Sequence, residues 1–87
     1  MSRAWGQTFG FRGTVLDEQT HKALDYATIQ LFVEKQFAYG GITDANGHFE
    51  LLHIKPGTYR ILVSYLGYDS TEKEIKVLGN TSEIFHL

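Results

Sequence analysis

The side chains able to carry chemistry are few in this chain, and they are dispersed. His48, Glu50 and His53 stand close together and are the donor types of a metal site. On a strand, however, His48 and Glu50 share one face and His53 takes the other. Two ligands do not fill a tetrahedral zinc site, so the trio reads as a solvated strand face. Asp44-Ala45-Asn46-Gly47 offers carboxylate and amide oxygens in the manner of a calcium loop. An EF-hand loop needs about 12 residues and a closing Glu, and here the chain runs at once into Phe49. These four residues are instead expected to close a tight hairpin, with Asn-Gly supplying the positive φ angles. Ser64 and Ser70 lie in or beside strands without a nucleophile-elbow pattern. No carboxylate pair is spaced for acid–base work, and the absence of Cys excludes disulfides, thiolate metal sites and a Cys nucleophile. No catalytic residue, metal ligand or cofactor is assigned, and enzymatic activity is not expected.

The aromatic side chains are more plentiful: six Phe, five Tyr and one Trp. Alternation puts most of them in a core. Tyr59, two residues after Gly57, is placed to pin a corner of the fold with its hydroxyl. Trp5 and Tyr68 are expected to be exposed. Tyr39 stands beside Gly40 and Gly41, and glycines within a strand mark an irregular edge where another chain can add a strand. Tyr39, Gly40, Gly41 and Tyr68 are therefore the candidate partner surface.

The elements that must position these residues are strands. Helical periodicity is nearly absent, and the chain alternates with period two between Gly, Asn, Asp and Pro breaks. Phe9, Phe11, Gly13 and Val15 share one face of a strand from Thr8 to Leu16. Ala27, Ile29, Leu31 and Val33 share a face of the next, from Tyr26 to Glu34. A third runs from Phe37 to Thr43 and a fourth from His48 to Leu52. Pro56-Gly57 is expected to form a type II turn. A fifth strand from Thr58 to Leu66 puts Tyr59, Ile61, Val63 and Tyr65 on one face. A sixth spans Tyr68 to Leu78 and a short seventh Ser82 to Leu87. Seven strands spaced in this way predict an all-β Greek-key sandwich. Residues 1–7 have no periodicity and read as a disordered stub, either a natural start or the remnant of a trimmed precursor. Residues 8–87 read as the single domain.

Composition narrows the partners. The net charge is −2 and the eight Lys and Arg are scattered singly, which argues against nucleic acid and against a polybasic membrane anchor. No hydrophobic run is long enough to span a bilayer, and the N-terminus lacks the pattern of an intact signal peptide. The first strand carries Arg12 and no Lys, so the Lys–Asn isopeptide cross-link of some adhesin sandwiches is not expected.

An ordered set of motifs runs from Gly13 almost to the C-terminus: Gly13-Thr14-Val15-Leu16-Asp17, Leu24-Asp25-Tyr26-Ala27-Thr28-Ile29, Thr43-Asp44-Ala45-Asn46-Gly47-His48-Phe49, Ile54-Lys55-Pro56-Gly57-Thr58-Tyr59 and Val63-Ser64-Tyr65-Leu66-Gly67-Tyr68. This series resembles the carboxypeptidase regulatory-like domain. One departure is Asp25-Tyr26 before Ala27, where Gly or Pro is more usual. The resemblance implies a seven-stranded transthyretin-like (prealbumin-like) sandwich. The Ser64-to-Tyr68 segment is most similar to the branch found at the N-terminus of TonB-dependent outer-membrane receptors of Bacteroidetes-type bacteria. That likeness implies an accessory domain in the periplasm, associated with the outer membrane as part of a larger protein. Its partner would be protein: the adjacent plug and barrel, or another envelope protein. Two alternatives stand beside it, a structural module on a metallocarboxypeptidase-like enzyme and a carbohydrate-binding sandwich.

Overall fold

The computed structural model describes residues 6–87. What the sequence suggests for the first five residues, including an exposed Trp5, lies outside the described residues. Seven strands follow in order: β1 (Phe9–Leu16), β2 (Thr28–Val33), β3 (Gln36–Ile42), β4 (His48–Ile54), β5 (Gly57–Ser64), β6 (Thr71–Val77) and β7 (Thr81–His86). They form two sheets, one ordered β4-β1-β7 and the other β3-β2-β5-β6. β1 and β7 run parallel, and the other pairings are antiparallel.

Period-two alternation builds the core between the sheets. Phe11 and Val15 of β1, with Phe49 and Leu51 of β4, meet Ile29 and Leu31 of β2 and Ile61 and Val63 of β5. Ile75 and Val77 of β6 and Phe85 of β7 complete it. Gly13 permits this packing, because Phe49 lies directly across it. A Cβ at position 13 would come within 2.5 Å of the Phe49 ring and 2.6 Å of the Glu83 carbonyl.

The connections depart from the sequence reading in an informative way. β3 and β4 are consecutive, yet they lie in different sheets. Residues 43–47 therefore form a corner between sheets, not a hairpin. Gly47 takes a φ of 75°, whereas Asn46 stays out of the positive-φ region. Asp44 holds the corner: its Oδ1 accepts from the amides of Asn46 (2.9 Å) and His48 (3.0 Å). Those two bonds, that from His48 first, depress the Asp44 pKa below its ordinary value. Thr43 anchors the corner from inside. Its buried hydroxyl donates to the Leu24 carbonyl (2.6 Å) and accepts from the Ala27 amide (2.8 Å).

β4 and β5 also lie in different sheets, so the Pro56-Gly57 step is a second crossing. Gly57 has a φ of 157°, far from the roughly +80° of a type II turn. Tyr59 pins this crossing as expected, its hydroxyl donating to the Lys55 carbonyl at 2.6 Å.

His53 is also placed differently from its parity. Simple alternation from Phe49 and Leu51 would send it into the core. Instead the β1–β4 register shifts between Phe9 and Phe11, and His53 adopts a φ of 61°. This bulge turns His53 outward and lets Ile54 take the buried place.

Candidate functional site

A sandwich of two open sheets has four edge strands, and an exposed edge offers unpaired N–H and C=O groups to another chain. Here the edges are β4 and β7 in one sheet and β3 and β6 in the other. Natural edges are blunted by charge, proline or bulges. β6 carries Glu72, Lys73, Glu74 and Lys76. Lys73 pairs across the sandwich with Glu83 of β7, and its ammonium lies 5.4 Å from the centre of the Phe85 ring. β7 thus carries Glu83 on its own edge. β4 has its bulge, and its Glu50 pairs with Arg12 at 2.5 Å.

β3 has neither charge nor proline, and its one irregularity is a bulge at Ala38, opposite Leu31 and Phe32. Its sequence is Gln-Phe-Ala-Tyr-Gly-Gly-Ile, and it hydrogen-bonds only to β2. Among the described residues it is the one edge strand without a charged side chain. Two large apolar side chains stand out from it, Phe37 at 59% exposed and Ile42 at 57%.

The glycines of β3 leave room for neighbouring side chains. The Phe37 ring folds back over Gly40, where a Cβ would come 2.8 Å from Phe37 Cζ. Phe37 also meets Phe32 edge to face, with centroids 6.0 Å apart. On the other side a Cβ at Gly41 would come 2.9 Å from Leu51 Cδ2. The pair of glycines lets two large side chains close over the strand.

The four residues expected to form the partner surface are not brought together. Gly40 and Gly41 lie on the free edge. Tyr39 contributes its backbone to that edge, but its side chain is committed inward. Its ring packs edge to face on Tyr59 at 5.8 Å, and its hydroxyl accepts from the Lys55 amide at 3.1 Å. Burial, reinforced by the nearby Tyr39, pushes the Tyr59 phenol up to about 12. Tyr68 lies elsewhere, in the loop joining β5 to β6, and two strands separate β3 from β6. Phe37 and Ile42 are the residues that sequence reasoning missed. Their signal was available: a seven-residue strand with no charge and large apolar groups near both ends.

Tyr68 belongs to a second, smaller arrangement. Its hydroxyl donates to Asp17 Oδ2 at 2.6 Å, and its ring meets Tyr65 at 5.3 Å. Asp17 Oδ1 accepts from the amides of Gln19 and Thr20, both at 2.8 Å. The Tyr68 bond, then those amides, hold the Asp17 carboxyl down at about 2, and Asp17 in turn raises the Tyr68 phenol. One carboxylate thus ties the β1–β2 loop to the β5–β6 loop. Beside it Leu66 is 96% exposed. Tyr26 is also exposed and takes a φ of 62°, a conformation that suits glycine and that proline cannot adopt.

His48 and Glu50 both point outward, as their parity requires, onto the shallow concave face of the three-stranded sheet. His53 is exposed on the bulge. Among the described residues no three His, Cys, Asp or Glu side chains are grouped to hold a metal ion. No helix of the described residues is long and apolar enough to cross a membrane.

Comparison with known proteins adds three findings. The family model described as CarboxypepD_reg-like domain matches residues 11–87. A search of curated proteins found no match. Among solved structures, a carbohydrate-binding protein of Bacteroides uniformis, so described only provisionally, is similar with a TM-score of 0.75 and 16% identity. That match covers 93% of this chain and 41% of the other. The 5-hydroxyisourate hydrolase of Klebsiella pneumoniae is similar with a TM-score of 0.72 and 13% identity, covering 90% of this chain and 88% of the hydrolase. The major pilin subunit of Bacillus cereus, in a D312A variant, gives 0.68 and 16%, covering 91% of this chain and 29% of the pilin. At such identities these likenesses establish the transthyretin-like sandwich fold alone. The chain spans well under half of the pilin and of the Bacteroides protein.

Proposed function

Because the chain belongs to the carboxypeptidase regulatory-like domain family, we propose that it is a non-catalytic docking module. In this reading it is an accessory domain of a TonB-dependent outer-membrane receptor or transporter, working in the periplasm through protein–protein contacts. The observation that carries the docking role is β3, a free edge without a charged side chain, flanked by the exposed Phe37 and Ile42. Strand addition at such an edge takes its affinity from main-chain hydrogen bonds and its selectivity from the flanking side chains, here Phe37 and Ile42. The receptor setting draws support from the Ser64-Tyr65-Leu66-Gly67-Tyr68 segment, which resembles that branch of the family. The Bacillus and Bacteroides likenesses, in which a sandwich of this size is one part of a longer chain, agree with a modular role.

Two experiments test the proposal. The coding sequence on either side of these residues gives the setting: a plug and β-barrel downstream supports it, and a zinc peptidase domain would overturn it. A photo-crosslinking benzoylphenylalanine in place of Phe37, in the parent protein in its own cells, tests the edge. Crosslinks to an envelope protein support docking. Crosslinks absent at position 37 but present at a control position on β6 would refute it.

The Bacteroides likeness also favours a second reading, in which the domain binds carbohydrate. A sugar-stacking platform needs aromatic rings lying in one plane. The outward ring pairs here are crossed, Tyr65 with Tyr68 at 65° and Phe32 with Phe37 at 78°. Docking is therefore the better-supported function, and specific binding on a glycan array would reverse that order.

A further inference from the structure

We infer that the loops at one end of the sandwich form a second docking surface, separate from the β3 edge. Its partner is a basic protein segment that packs apolar side chains on Leu66 and sets a Lys or Arg in the hollow beside it. The loops are residues 17–27, 43–47 and 65–70. The strand registers bring all three to the same end. Leu66 stands 96% exposed in the third loop, and Tyr26 stands 70% exposed in the first. The Tyr68–Asp17 bond braces the loop that carries Leu66, and the Tyr68 amide donates to the Tyr65 carbonyl at 3.0 Å. The Tyr65 hydroxyl reaches Asp25 Oδ1 at 3.5 Å, which joins the same two loops again. An apolar side chain on a braced loop costs little ordering when it docks.

Charge identifies the partner. Along the strands the charges balance: Arg12, Arg60, Lys73 and Lys76 stand against Glu50, Glu72, Glu74 and Glu83. The turns at the opposite end hold Lys35 and Lys55 against Glu34. The three loops hold Asp17, Glu18, Asp25, Asp44 and Asp69 against Lys22 alone, so the negative charge of the chain at pH 7 originates at this end. Among the described residues, none of the five carboxylates is in an ion pair. Asp17 and Asp44 spend their hydrogen bonds on amides and a phenol, which fix the carboxylates without cancelling their charge. Between the first and third loops lies a hollow of about 420 Å³, lined by Asp17, Glu18, Tyr68 and Asp69 and by no Lys or Arg. Among the described residues the carboxylates are not grouped to hold a metal ion. The cation that fits is therefore a side chain, whose hydrogen bonds to carboxylate are charge-assisted. Acidic loops also repel the phosphates of an anionic lipid surface, which directs the apolar tip toward protein.

Selection of a display library of random linear peptides on this 87-residue chain tests the assignment. The selected peptides are expected to carry Lys or Arg beside apolar residues and to bind more weakly as salt is raised. In amide NMR titrations they should shift residues 17–27 and 65–70 and leave Gln36–Gly41 unmoved. Leu66→Ser, at a side chain that the fold does not bury, is expected to weaken the best peptide by about tenfold. Glu18→Gln and Asp69→Asn should each weaken it by roughly two- to fivefold, and Glu74→Gln on β6 should leave it unchanged. A library that yields no binder, binders without an excess of Lys and Arg, or binding indifferent to Leu66→Ser would overturn the assignment. Phosphatidylcholine vesicles that bind the chain but not Leu66→Ser, with no peptide selected, would make this end a membrane contact instead. Shifts confined to β3 would support the edge reading and sink this one, so the two surfaces fail separately.

Discussion

Thr43 is the one polar side chain that the described structure buries completely, at 1% exposed, and replacing it with Val isolates what its hydroxyl does. Valine has nearly the same shape, so packing is conserved. The hydroxyl donates to the Leu24 carbonyl and accepts from the Ala27 amide, and both of those residues are buried. Thr43→Val leaves the two backbone groups without those partners, at about 1–3 kcal/mol for each. At the middle of that range, with about 1 kcal/mol or less returned by the extra apolar character of valine, the net loss is about 3–4 kcal/mol. A chain of this length has a total stability of about 4–13 kcal/mol, so the loss is a large fraction of it. At about 4–8 °C per kcal/mol, the melting temperature falls by roughly 10–30 °C. Thr43→Ser keeps the hydroxyl and loses one methyl, for about 1 kcal/mol. Urea unfolding followed by circular dichroism measures both variants, and hydrogen exchange at the Ala27 amide reports the bond itself. The reasoning fails if Thr43→Val melts within a few degrees of the parent, or if serine falls as far as valine.

Three further outcomes are expected. Gly13→Ala puts a methyl against the Phe49 ring and the Glu83 carbonyl, and overpacking of this kind costs about 1–3 kcal/mol. A urea midpoint equal to the parent's would contradict it. The β2–β3 hairpin turns on Glu34 and Lys35, both at positive φ (49° and 72°). Left-handed geometry is unfavourable for such residues by about 1–2 kcal/mol each, so Asn-Gly in their place is expected to raise the melting temperature, and a fall would refute the assignment of strain. Asp17, held at about 2 against an ordinary 3.8, contributes stability that is complete above its ordinary value and is lost as pH falls through about 2. Thermal melts of Asp17→Asn over that interval should show a shallower acid decline than the parent, and identical slopes would remove Asp17 as a cause.

The strands were legible in the sequence because alternation is a local property. All seven appear within a few residues of where the apolar periodicity puts them, and the core residues of β1, β2, β4 and β5 follow from it. The pairing of strands was not local. Asn46-Gly47 carries a strong hairpin signal, yet β4 pairs with β1, far back in the chain, and not with its neighbour β3. Gly47 takes its positive φ for the corner, where a Cβ would strike the Val15 carbonyl at 2.7 Å. The bulge at His53 was hidden for a related reason. Nothing in Phe49-Glu50-Leu51-Leu52-His53-Ile54 says which of His53 and Ile54 is buried until β1 is laid beside it. The motif residues were more readable in identity than in role. Thr43 and Asp44 open a recognisable run, but their hydrogen bonds to Leu24, Ala27, Asn46 and His48 appear only when the corner closes.

The same distinction bears on function. β2, Thr-Ile-Gln-Leu-Phe-Val, and β3 are both free of charge, and by composition alone they are alike. Topology separates them. β2 lies between β3 and β5 and spends both of its edges within the sheet, whereas β3 spends one. An uncharged central strand needs no protection, but an uncharged edge strand is exposed to aggregation unless something covers it. β6, at the opposite edge of the same sheet, is blunted by alternating charges. Since one edge is charged and the other is not, the lack of charge on β3 cannot be assigned to the general character of the sheet. It is specific to that strand, whose one irregularity is the bulge at Ala38. A strand so arranged is either a hazard or a contact, and adding charge to it distinguishes the two. As a hazard, Ile42→Lys raises solubility and changes nothing else. As a contact, it also abolishes a defined association, with loss of exchange protection confined to β3.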